Sequence, residues 1–116
     1  MLFRSSGEYY QGNTFYDTDL LIEPFYAFTQ PAWARTCLNY RYERLRPARE
    51  IAHNLGRRGV KFPWQAGPHG EECLGRWWRF THTNIHINAD VAYALRQYVR
   101  ASGDEAAALV LLLQSL

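Results

Sequence analysis

Phe15-Tyr16-Asp17-Thr18-Asp19 places aromatic rings beside two carboxylates. A pyranose offers an apolar ring face to an aromatic and hydroxyl donors to a carboxylate, so Tyr16 and Asp17 suit a sugar subsite. The same residues stand where a helix should start, and there Thr18 or Asp19 could serve the exposed amides as a cap. Phe62-Pro63-Trp64 offers a second platform, open also to the plainer reading of a lid on the core. Glu71 and Glu72 follow Gly67-Pro68-His69-Gly70. Carboxylates act as acid, base or nucleophile in glycoside cleavage, although adjacent Glu residues on a loop are also ordinary solvated groups. His82 and His86 are four positions apart and on a helix would share a face, as zinc ligands do. Thr83 stands where the H-E-x-x-H pattern needs its Glu, so no metal is expected and both are read as structural or substrate-contacting histidines. Nothing near Cys73 argues for a depressed thiol pKa.

Helices must position these residues. Leu20, Leu21, Phe25 and Phe28 form a helical stripe over Asp17 to Phe28, interrupted by Pro24. Pro31 opens a second segment with Ala34, Leu38, Tyr42 and Leu45 at helical spacing. Pro47 restarts the pattern for a third helix, with Ala48, Ile51, Ala52 and Leu55, and Gly56 is its left-handed stop. Between Gly59 and Arg79 the periodicity is lost among Gly, Pro, Phe62, Trp64, Trp77 and Trp78, giving one long aromatic-rich loop. Ile85, Val91, Ala92, Leu95, Tyr98 and Val99 restore helical spacing up to Gly103. Ser102 and Glu105 match a capping box for a last helix to Leu116. No alternating strand is visible, so the expected fold is all-α, with about five helices.

The 116 residues are 47% hydrophobic and 21% charged, the profile of one packed globular domain. A net charge of +2 with mixed signs gives no track for a phosphate backbone, so no nucleic-acid partner is expected. The longest apolar run, Ala106 to Leu113, falls short of the roughly 20 residues of a membrane span. Met1-Leu2-Phe3-Arg4 makes no signal peptide, and Cys37 and Cys73 lack a paired spacing, so a cytoplasmic location with reduced thiols is expected.

The stretch from Gly7 to Asp19, Gly7-Glu8-Tyr9-Tyr10-Gln11-Gly12-Asn13-Thr14-Phe15-Tyr16-Asp17-Thr18-Asp19, resembles the G-E-x-Y-x-G-H-x-F-W-D-T-[DE] opening of the catalytic domain of glycoside hydrolase family 65. That family includes the kojibiose, maltose and trehalose phosphorylases. The resemblance continues in family order through Pro24-Phe25, Gln30-Pro31, Tyr40-Arg41-Tyr42, Ala48-Arg49, Gly59, Phe62-Pro63-Trp64 and Gly70-Glu71-Glu72. It then takes in His86-Ile87-Asn88-Ala89-Asp90-Val91-Ala92-Tyr93-Ala94 and Ser102-Gly103-Asp104-Glu105. Tyr16 stands where the family has Trp and Asn13 where it has His, which bears on substrate preference.

The resemblance implies a six-hairpin, (α/α)6-barrel fold of inner and outer helices. It implies inverting phosphorolysis, in which inorganic phosphate, a co-substrate, attacks the anomeric carbon of an α-glucoside. The implied partner is an α-linked glucose disaccharide or oligosaccharide, with no cofactor and no metal. Tyr16, Asp17 and Trp64 are the first candidates for glucose contact, and Glu71, Glu72 and His86 follow. The family's general acid lies in a G-P-[DN]-E-Y motif that this sequence does not contain, and its phosphate-binding residues come later still. The expectation is therefore a single partial catalytic domain over residues 1 to 116, without the family's β-sandwich and the C-terminal half of its barrel. No residue of it is expected to be catalytic, and alone it should be inactive. Helices missing their neighbours, the apolar last one above all, should favour self-association. The alternative is a non-catalytic carbohydrate-binding protein, or a relic of a truncated gene.

Overall fold

In the computed structural model, residues 12–74 and 80–107 are described. The expected helix over Asp17 to Phe28 divides in two: a π-helical segment, Thr18–Ile22, and α1, Glu23–Thr29. Pro24 supplies the reason. It has no N–H for the regular ladder, and the turn before it widens so that the Glu23 N–H reaches the Thr18 carbonyl, five residues back. Pro31 begins α2, Pro31–Glu43, where a first turn needs no N–H from it.

The third helix, α3, Leu45–Asn54, starts before the expected Ala48, because Pro47 falls within its first turn and is tolerated there. It ends as expected at Gly56, whose φ of 69° is a left-handed conformation that a side chain would strain. The short α4, Phe80–Thr83, precedes α5, His86–Ser102. Gly103, at φ 73°, stops α5 by turning its N–H onto the Val99 carbonyl at 2.8 Å. A further helical turn starts at residues 105–107. The side chain that meets its amides is that of Asp104, whose Oδ1 accepts from the Ala107 N–H at 3.4 Å, so the expected Ser102 cap is displaced by two residues. The rest of the expected last helix, residues 108–116, lies outside the described residues, as do Gly7 to Gln11, Trp77 and Trp78.

Among the described residues there is no strand, only isolated antiparallel bridges of Ala66 to Thr14 and to Glu72. The all-α expectation holds. Two apolar clusters form the core. One joins α1, α2 and α5 through Ala27, Ala34, Leu38, Ala94, Leu95 and Tyr98. The other sets Leu45, Ala48, Ile87 and Val91 around Phe62 of the loop, with Tyr16, Tyr42, Val60 and Trp64 packed against it. No helix among the described residues is long and apolar enough to cross a membrane.

Candidate functional site

The loop from Gly56 to Leu74 has no ladder of its own, yet its backbone is held closely. Asn88, in the first turn of α5, does this at one point: its Nδ2 donates to the Val60 carbonyl at 2.7 Å and its Oδ1 accepts from the Phe62 N–H at 3.0 Å. The Lys61 N–H donates to the Ala48 carbonyl of α3 at 2.9 Å. Further along, the Glu72 carboxylate accepts from the N–H groups of Trp64 at 2.6 Å, Gln65 at 3.0 Å and Leu74 at 3.1 Å. The Arg44 side chain donates to the Pro68 carbonyl, and the Tyr40 hydroxyl to that of Gly67. These bonds serve the requirement that buried main-chain groups be paired where no helix or sheet can do it.

The outcome is a convergence of three rings from three parts of the chain. Tyr16, just before the π-helical segment, lies 5.1 Å from Trp64 of the loop, centroid to centroid, with planes tilted by 48°. His86, at the start of α5, stands edge-on to both, at 5.0 Å from Tyr16 and 5.7 Å from Trp64. The Asp90 carboxylate accepts from His86 Nδ1 at 2.9 Å, one helical turn on, which orients the ring and leaves Nε2 for another partner. Tyr16 and Trp64 are half-buried and His86 is exposed, so the group is reachable from solvent.

The other candidates are placed differently. Asp17 is exposed beside Tyr16 and makes no side-chain cap. Glu71 and Glu72 do not act as a pair: Glu71 accepts from the His69 N–H at 2.9 Å, while Glu72 serves the amides already described. The histidines do not share a helix face, because the break between α4 and α5 falls between them. His82 instead lines a depression with Leu55, Leu74 and Thr81. Among the described residues no three His, Cys, Asp or Glu side chains come together as a metal site. The Cys73 thiol is pushed up by partial burial and by Glu71 and Glu72.

Behind Tyr16 lies a buried charged layer that residue types did not announce. Asp19 has a larger part than the capping role open to it, because the residue is 1% exposed and its carboxylate is bound to Arg41, with Nη2 at 2.6 Å from Oδ2. Burial pushes the Asp19 carboxyl up while the Arg41 guanidinium pulls it back. The Arg41 guanidinium also lies 5.4 Å from the Phe62 ring centroid, tying α2 to the loop. Lys61 is 3% exposed, and burial lowers its pKa, with Glu72 opposing. Asp19 and Arg41 are 22 residues apart, so no local spacing could pair them. Asn88 did carry a signal: a poor helix former one residue from the buried Ile87.

Residues 5–111 match the family model for the glycosyl hydrolase family 65 central catalytic domain. The chain is 40% identical over 99 residues to the α,α-trehalose phosphorylase of Thermoanaerobacter brockii, a match covering 85% of this chain and 12% of that protein. It is 39% identical over 112 residues to the kojibiose phosphorylase of Halothermothrix orenii, covering 86% of this chain and 14% of that one. A solved human-microbiome protein named as a kojibiose phosphorylase superposes with a TM-score of 0.79 at 28% identity, over 86% of this chain and 13% of that one. The chain thus spans 12 to 14% of the length of these curated relatives. Its helices belong to the (α/α)6-barrel class of that structural neighbour.

Proposed function

The chain belongs to glycosyl hydrolase family 65, in its central catalytic domain, and from that premise we propose that Tyr16, Trp64 and His86 form part of the glucosyl-binding wall of an inverting α-glucoside phosphorylase. The convergence of these three rings carries the reading. A pyranose laid against Tyr16 or Trp64 would bury its C–H face, and its hydroxyls would be met by His86 Nε2 and by Asp17, exposed and next to Tyr16 in the chain. Glu72 is a positioning residue here. Its carboxylate fixes the backbone on both sides of the Trp64 carbonyl, and so sets the ring's aspect.

In such a reaction a phosphate oxygen bonds to the anomeric carbon while the glycosidic C–O bond breaks. The departing oxygen takes a proton from a carboxylic acid, and the anomeric configuration inverts. These 116 residues contain no G-P-[DN]-E-Y motif, so the part assigned to them is to bind and orient the glucosyl unit. A second reading, a carbohydrate-binding protein without chemistry, rests on the same three rings.

Titrating the 116-residue chain with kojibiose, trehalose and glucose while following Trp fluorescence, and assaying glucose 1-phosphate in parallel, tests both. Saturable quenching that Trp64→Ala removes is the expected result, with no phosphate-dependent release. Release well above a denatured control would give these residues the chemistry too. A Trp64 signal indifferent to every sugar would overturn the binding wall.

A further inference from the structure

Glu23, the first residue of α1, is 0% exposed, and neither of its carboxylate oxygens has a hydrogen-bond partner. It sits four residues after Asp19, the spacing that brings side chains to one face of a helix. Asp19 holds the Arg41 guanidinium through Nε and Nη2. Around Glu23, α1 packs against the π-helical segment, α2 and α5. The charged and titratable groups that these elements turn toward this layer are Asp19, then Arg41 and Cys37 of α2, then Asp90 of α5. Among the described residues of this layer Arg41 is the cation, and Asp19 occupies it. An ionised Glu23 would be a buried charge with no hydrogen-bond partner, no free counter-ion among the described residues, and another carboxylate beside it, an arrangement that proteins avoid by keeping the proton.

We propose that Glu23 is a proton-operated latch: neutral, it fills the core beneath the π-helical segment, and ionised, it unseats that segment and with it Tyr16 and Asp17. Burial, reinforced by Asp19, pushes its carboxyl up to about 8 from an ordinary 4.5. The Cys37 thiol answers to the same surroundings, being pushed up to about 11 by burial and then by Asp19 and Glu23. The direction of the linkage follows. Below pH 4.5 the carboxyl is protonated in folded and unfolded chains alike, and its neutral form costs nothing. Between 4.5 and about 8 the unfolded chain releases the proton and the folded chain keeps it, so stability falls as pH rises. Above that window the loss is complete.

The test is urea unfolding of the full chain and of Glu23→Gln at several values between pH 5 and 8.5, followed by far-UV CD. The wild-type unfolding constant should grow relative to that of the variant by up to about tenfold per pH unit across the window. The two should agree near pH 5, and the variant should be the more stable at pH 8.5. Glu23→Met, apolar and of similar length, should behave in the same way and serves if the amide packs badly. Parallel pH profiles for wild type and both variants would overturn the latch, as would a wild type that is the most stable at pH 8.5. Carboxyl 13C NMR of the wild type decides independently of any variant. A Glu23 resonance with a midpoint above about 6.5 supports the latch, and one in the ordinary carboxylate range of about 4 to 5 refutes it.

Discussion

The two halves of this molecule are held together by different means. Where α1, α2 and α5 meet, Ala27, Ala34 and Ala94 are at most 1% exposed, and their small side chains let the helix backbones approach closely. Stability there rests on area and fit. At the loop end the apolar cluster around Phe62 is joined by polar side chains spent on backbone: Glu72 on three amides, Asn88 on both sides of Lys61, Arg44 and Tyr40 on carbonyls. The aromatic trio belongs to the second half. A fitted core tolerates changes of polarity poorly and a clamped loop tolerates loss of a partner poorly, so different substitutions should break each.

Arg41 belongs to both halves and should give the largest effect. Arg41→Leu leaves Asp19 buried and unpaired, and a loss of about 3–5 kcal/mol is expected in denaturant unfolding near pH 7. Adding Asp19→Leu should restore much of that loss, since an apolar pair of similar volume often replaces a buried ion pair well. A single variant as stable as wild type would mean that the pair bears no weight. In the fitted half, Ala94→Leu should cost about 1–3 kcal/mol by overpacking the meeting of α1, α2 and α5. The Trp64 environment should stay unchanged, which near-UV CD can follow.

Glu72→Gln sharpens the contrast from the other side. It keeps one acceptor and loses the charge, for about 1–2 kcal/mol, and should weaken the near-UV signal of Trp64 more than the helical far-UV signal. Equal losses in both signals would remove the distinction between the halves. The smallest effect is expected for Arg46→Ala, which deletes an exposed ion pair with Glu50 within one turn of α3. A change of no more than about 0.5 kcal/mol should appear in the same measurement.

The same division decided what could be read from residues. Helix ends are local physics, and Gly56, Gly103 and Pro31 marked theirs correctly. Pro24 marked a disturbance whose form, a widened turn, depends on the neighbouring hydrogen bonds. Tyr16, Trp64 and His86 each suggested sugar contact by type and by family resemblance. Their meeting depends on Asn88 and Glu72 bonding across 26 and 8 positions, where no periodicity reaches. The histidine spacing would give a shared face only on one continuous helix, and the break between α4 and α5 removes it, while the ion pair of Asp19 left no local trace because its partner is on another helix.

Asn88 is in effect a single rung of a sheet that has no second strand. A strand's neighbour offers one residue an acceptor and a donor side by side, and the carboxamide offers the same pair to the Val60 carbonyl and the Phe62 N–H. An Asp in its place could accept from Phe62 but would turn a second oxygen on the carbonyl of Val60. That exchange of a single nitrogen for an oxygen would leave the loop with half a rung, and the indole that follows two residues later would lose its register against the imidazole on the neighbouring helix.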